Sequence, residues 1–125
     1  MNRAHAISSI IEEHSGAIFV LSNGLTSREG AFYCPNESSF YLLHAMGEAL
    51  SVGLGIASTQ GGIEVVVIDG DGNALMGASS WTMDHVPNLH YYVLVNSIYE
   101  TTGGQALPNN VEWPSWCKLV PINKQ

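Results

Sequence analysis

Positive charge is scarce in this chain. Its 125 residues include only Arg3, Arg28, Lys118 and Lys124 as cations, against eleven Asp and Glu, for a net charge of −7. A nucleic-acid binder needs a basic stripe to neutralise phosphates, and none exists here. Long apolar runs are missing too: nothing approaches the ~20 residues needed to span a bilayer. The amino-terminal stretch MNRAHAISSIIEEH contains glutamates and no continuous apolar segment, so it does not read as a signal peptide. Cys34 and Cys117 are too few and too scattered for a disulfide framework or a zinc cluster, and two reduced thiols in a cytoplasmic protein are expected. Charged residues make up only 12% of the chain while apolar residues make up 46%. So little charge points to surface buried against something else, such as another chain. The length suits one domain with one core, residues 1–125, and no repeat, linker or low-complexity tract divides it.

The apolar pattern alternates between two periods. Ala4, Ile7, Ile10 and Ile11 fall at helical spacing and predict a helix over 3–14. AIFVL (17–21) suits a buried strand, SNGLTS (22–27) a turn, and a short helix is expected from Ser27. FYLLHAMGEALSVGLGIAS (40–58) begins like a strand and continues as a small-residue helix over 45–57. VVVID (65–69) is the best strand in the chain, NALMGASSWTMDHV (73–86) reads as a helix ended by Pro87, and HYYVLVN (90–96) as another buried strand. CKLVPI (117–122) is a candidate last strand. Alternation of this kind predicts an α/β fold, three layers with a parallel sheet between helices. Such folds bind ligands beyond the carboxyl ends of their strands. The polar punctuation follows that rule: SNG, DGDGN and NSIYETTGGQ each follow a strand.

The turn DGDGN has three readings. It can be a plain Gly/Asp turn. A calcium loop starting at Asp69 is excluded, because its sixth and twelfth places hold Ala74 and Ser80 instead of Gly and Glu, and a strand precedes it. The third reading is a diphosphate–magnesium site. Gly70 and Gly72 let a ligand approach the backbone, and the amides of Gly72, Asn73 and Ala74 can hold an anion. A carboxylate such as Asp71 joins a phosphate only through a shared Mg²⁺, which takes oxygen ligands. A second ligand would come from the next strand end, at Asn96.

Gly70-Asp71-Gly72 followed by Asn96 resembles the thiamine-diphosphate motif, a GDG closed by a downstream Asn. The surrounding blocks GDGNALMGASSW, NLHYYVLVNSIYETTGGQ, LSNGLTSREGAF and FYLLHAMGEALSVGLGIAS are similar to the pyrophosphate-binding domain of phosphonopyruvate and sulfopyruvate decarboxylases over roughly residues 1 to 108. The resemblance implies a thiamine-diphosphate-binding fold. It implies Mg²⁺ held by the side chains of Asp71 and Asn96 and the carbonyl of Ile98. Amides of Gly72, Asn73 and Ala74 would hold the diphosphate, with Ser22 and Asn23 bonding it from the first strand end. Met46 would sit under the cofactor and bend it, and the backbone of His44, Ala45 and Met46 would hold the aminopyrimidine. Tyr99, Thr102, Gly103, Gly104 and Gln105 would lie in a covering loop. The cofactor would serve as electron sink for decarboxylation of a 2-oxo acid.

The same resemblance implies an activating glutamate on a separate pyrimidine-binding domain, for which this chain has no room. That predicts the small half of a heteromeric enzyme, α2β2 or larger, with a pyrimidine-domain (alpha) partner subunit and active sites at the interface. The helix over 45–57 either docks that partner or packs on the sheet. Three departures stand out: Val95 replaces the usual Asn or Asp, His44 replaces a Gly, and the chain after Gln105 is short, with Trp113 and Trp116 as candidate caps. His44 is a surface residue or a proton-transfer group near the thiazolium. His85 and His90 read as surface residues, and Cys34 and Cys117 as structural or surface thiols. Glu100 either tunes the substrate or faces solvent. A carboligase subunit and a non-catalytic cofactor-binding subunit are the alternatives.

Overall fold

The structure, a computed structural model, describes residues 1–83, 85–97, 106–108 and 110–123. Helix α1 (Arg3–Glu13) starts where the Asn2 side chain accepts the His5 N–H at 2.8 Å, and it buries Ala6, Ile7 and Ile10. Strand β1 (Ile18–Leu21) follows, then α2 (Leu25–Tyr33), which opens two residues earlier than expected. Gly24 sits at φ 83, so the chain reverses there instead of at Ser27, and the Ser27 hydroxyl bonds back to the Leu21 carbonyl at 3.0 Å. Strand β2 (Ser39–Tyr41) is short.

Helix α3 (Ala49–Thr59) begins later than the predicted 45, because Gly47 has φ 78 and residues 42–48 form a loop. Ala49, Gly53 and Ala57 are buried, and a Cβ on Gly53 would lie 2.2 Å from a Val67 methyl. This small-residue face therefore packs on the sheet. Strand β3 (Val65–Gly70) is buried on both sides along Val65–Asp69, as a central parallel strand must be. Helix α4 is much shorter than the predicted 73–86. It spans Asp71–Met76, passes through Gly77 into a 3-10 turn at Ala78–Thr82, and is extended by Met83. The helix end is packed against a distant segment: Gly77, its C-cap, abuts the backbone of Gly47 so closely that no side chain fits there. Strands β4 (Leu89–Val95) and β5 (Cys117–Pro121) complete the sheet.

All four strand pairs are parallel, in the order β2-β1-β3-β4-β5. Alternate strand residues serve two apolar layers. Phe19, Leu21, Val66, Ile68, Tyr92 and Leu94 pack with α1, whereas Val20, Val65, Val67, Tyr91 and Val93 pack with α3. The tryptophan expectation holds: Trp113 lies 5.2 Å from Trp81, and Trp116 lies 5.8 Å from Tyr91, between ring centroids. Among the described residues no helix is long and apolar enough to cross a membrane.

Candidate functional site

The chain leaves β1 toward β2 on one side and returns to β3 on the other. That reversal of winding falls between the carboxyl ends of β1 and β3, the place where such sheets bind ligands. Ser22 and Asn23 follow β1, Gly70 ends β3 and Asp71 opens α4, and Asn96 follows β4. The Ser22 N–H bonds to the Ile68 carbonyl at 3.0 Å, which fixes the first two strand ends side by side.

Asp71 is the centre of this group. It is 4% exposed. One carboxylate oxygen accepts the Gly72 N–H at 2.9 Å, and the other accepts the N–H groups of Asn96 at 3.2 Å and Ser97 at 2.8 Å. The expected pair Asp71 and Asn96 is thus joined through the backbone. Ser97 takes φ 68, a left-handed conformation uncommon for a residue other than glycine and concentrated at functional sites. Burial pushes the Asp71 carboxyl above its ordinary pKa, and the N–H groups of Ser97, Gly72 and Asn96 pull it back.

Asp69 lies beneath and is 2% exposed. Its carboxylate accepts the Gly70 N–H at 2.9 Å, the Asn73 side-chain N–H at 2.7 Å and the Tyr91 hydroxyl at 2.7 Å. Burial raises its pKa to about 6, against the pull of Tyr91, Asn73, Gly70 and Ser22. Tyr91 is raised far beyond the ordinary phenol range by its own burial and then by the Asp69 charge, so it stays a hydroxyl donor. Beyond its place in the rejected calcium loop, sequence reasoning gave Asp69 no role. The only signal is the alternation Asp69, Asp71, Asn73.

Other expected residues fall into place unevenly. The Asn73 side-chain oxygen accepts the Gly47 N–H at 2.8 Å, which brings the loop with Ala45 and Met46 against α4. Met46 is exposed at 49%. His44 is exposed on the same loop. The Gly72 N–H, expected to hold phosphate, is engaged by the carboxylate of its neighbour Asp71. Ile98, Tyr99, Glu100, Thr102, Gly103, Gly104 and Gln105 lie outside the described residues. His85 is exposed and stacks on Trp116 at 5.1 Å. His90 is not the plain surface residue expected: its Nε2 lies 2.6 Å from a Glu64 carboxylate oxygen, and its ring 4.8 Å from that of His14. Burial raises both thiols, Cys117 to about 12, which disfavours the reactive thiolate form.

Residues 22–117 match the family described as thiamine pyrophosphate enzyme, C-terminal TPP binding domain. The chain belongs to that family. Two relatives illustrate the range. A phosphonopyruvate decarboxylase of Streptomyces hygroscopicus is 39% identical over 118 residues, 90% of this chain and 29% of that protein. Sulfopyruvate decarboxylase subunit beta of Methanocaldococcus jannaschii is 38% identical over 107 residues, 82% of this chain and 56% of that subunit. The chain therefore spans between about a third and somewhat over half of these relatives.

The residues of this TPP-binding domain fit a magnesium diphosphate. Asp71 offers a hard oxygen donor, with three N–H groups on a carboxylate that has about four lone-pair sites. Among the described residues a Cβ on Gly70 would meet nothing within 4 Å, which leaves room for a ligand at this strand end. Past the end of β1 the Asn23 Oδ1 is buried with no hydrogen-bond partner among the described residues; being an acceptor it does not bond a diphosphate oxygen, for which only the Asn23 NH₂ can donate.

Proposed function

We propose that this chain is the pyrophosphate-binding part of a heteromeric thiamine-diphosphate- and Mg²⁺-dependent 2-oxo acid decarboxylase. The reading rests on one observation above all: Asp71 and Asn96, held together at the ends of adjacent strands β3 and β4, in a chain of this family. Asp71 and Asn96 would hold the metal through side-chain oxygens, joined by the carbonyl of Ile98. The amides of Asn73 and Ala74, with Ser22 and Asn23, would hold the diphosphate. Met46 would set the bend of the cofactor, and His44 is the candidate proton-transfer group. When bound, thiamine diphosphate supplies the electron sink for loss of CO₂.

A separate pyrimidine-domain subunit would contribute the activating glutamate at the shared interface. The relatives bearing the names sulfopyruvate decarboxylase subunit beta and phosphonopyruvate decarboxylase support an anionic 2-oxo acid as substrate. This chain has few cations for it. Arg3 is committed to Glu29 at 2.9 Å, and Lys118 lies 5.0 Å over the Tyr92 ring, so among the described residues the exposed Arg28 remains, with the partner, to neutralise the extra anionic group.

The test is cofactor titration of the assembled complex with Asp71→Ala and Asn96→Ala. Each should weaken Mg²⁺-dependent thiamine diphosphate binding by at least ~10- to 100-fold, the loss typical even of groups outside the ligand shell. Unchanged affinity in Asp71→Ala would sink the assignment.

A further inference from the structure

Asp69 carries an arrangement that metal binding does not require. Its carboxylate can only accept hydrogen bonds, so the Asn73 group facing it must be the amide NH₂. The Asn73 carbonyl oxygen is thereby turned outward, where it accepts the Gly47 N–H at 2.8 Å. Gly70 N–H and Tyr91 hydroxyl hold the carboxylate from two further sides, so its own orientation is fixed. Were the Asn73 amide reversed, its NH₂ would face the Gly47 N–H, donor against donor.

The other end of this contact is closed by glycine. Gly47 has φ 78, and a Cβ there would lie 3.0 Å from the Gly77 nitrogen and the Met76 carbonyl carbon. A Cβ on Gly77 would lie 1.9 Å from the Gly47 oxygen. The loop of residues 42–48 is thus held at Gly47 by a polar tie to the first turn of α4 and by backbone contact with its end.

We infer that Asp69 is a positioning residue, which fixes the Asn73 side chain and so latches the 42–48 loop, with Met46, onto α4. Asp69 touches neither cofactor nor metal in this role. The latch stands on this chain's own contacts. Its consequence for cofactor geometry rests on the thiamine-diphosphate reading, because Met46 adjoins Gly47.

Backbone amide exchange of the full chain without cofactor, read residue by residue, tests the latch itself. In Asp69→Asn, position 69 can present its own NH₂ and no longer dictates the Asn73 orientation. Exchange at Gly47 should quicken roughly five- to tenfold, the worth of one hydrogen bond. Asn73→Ala should do the same by deleting the acceptor. Val20 and Val67, in the core strands, should keep their rates within about twofold, since their opening is a separate and costlier event. Tyr91→Phe, which removes one group orienting the Asp69 carboxylate but leaves its contact with Asn73, should quicken Gly47 exchange by less than Asp69→Asn does. Unchanged Gly47 exchange in Asp69→Asn overturns the inference. So does equal acceleration at Gly47, Val20 and Val67, which would mean Asp69 merely supports the fold. A second arm measures thiamine diphosphate with Mg²⁺ on the assembled complex, where Asp69→Asn should raise the Kd. If Gly47 responds as expected but the unsubstituted complex binds no cofactor, the latch stands and the cofactor reading fails.

Discussion

The Gly47 carbonyl oxygen occupies the space that a side chain on Gly77 would need: a Cβ at Gly77 would lie 1.9 Å from it. Both partners are backbone, so neither can swing aside. Gly77→Ala should therefore cost roughly 1–3 kcal/mol by overpacking. Urea unfolding midpoints check this, with Gly55→Ala as the counter-case. Nothing lies within 4 Å of a Cβ at Gly55, inside α3, and alanine there should add about 0.5–1 kcal/mol of stability. Equal effects at the two positions would contradict the packing described.

Asn23 should separate folding from binding. Its buried Oδ1 makes no hydrogen bond among the described residues. Asn23→Ala should change unfolding stability by less than about 1 kcal/mol, because no internal hydrogen bond of that oxygen is lost. It should nevertheless weaken cofactor retention by the assembled complex. A large loss of stability with unaltered cofactor affinity would reverse the assignment.

His14 makes the chain sensitive to acid. Burial lowers its pKa below 6.5, and the neighbouring His90 lowers it further, with Lys118 acting in the same direction and Glu13 and Glu64 opposing. The unfolded chain then binds the proton more readily than the folded one. Stability from this group is complete above pH about 6.5 and falls as pH drops through the folded value. The His14 ring also meets the Tyr92 hydroxyl at 2.6 Å. Proton NMR titration should place His14 below 6.5, and His14→Gln should flatten the fall in urea midpoint on acidification. A His14 titration above 6.5 would contradict the packing at this end of the sheet.

Trp116 tests whether the last segment belongs to the core. It packs on Tyr91 and His85 and is only partly buried. Trp116→Ala should cost about 2 kcal/mol, below the ~3–5 kcal/mol of a fully buried tryptophan. A neutral outcome in urea unfolding would mean that this segment contributes little to holding β5.

Much of this arrangement is legible in the sequence, for identifiable reasons. The run Val65–Ile68 is β-branched throughout, so it announces a strand buried on both faces. Polar residues placed directly after apolar runs mark the strand ends, which is how Ser22, Asp71 and Asn96 can be read as neighbours. What resists reading is contact between distant segments. The stretch 73–86 has a helical pattern, and nothing local reveals that the helix ends at Met76 where Gly77 meets Gly47. His14, Glu64 and His90 likewise meet only because α1 and the starts of β3 and β4 share one end of the sheet. The expected start of α3 at residue 45 fails for the same kind of reason, since Gly47 must turn left-handed to reach Asn73. Asp69 reads as turn chemistry until Tyr91, twenty-two residues away, is seen to bond it.

The left-handed turn at Ser97 has a kinetic consequence. It aims the N–H groups of Asn96 and Ser97 at the Asp71 carboxylate within the chain alone. Much of the local ordering around this carboxylate is therefore completed during folding. Under the proposed function, a metal diphosphate would meet the Asn96 and Ser97 N–H groups already in place, with no rearrangement of these two residues left to slow its capture.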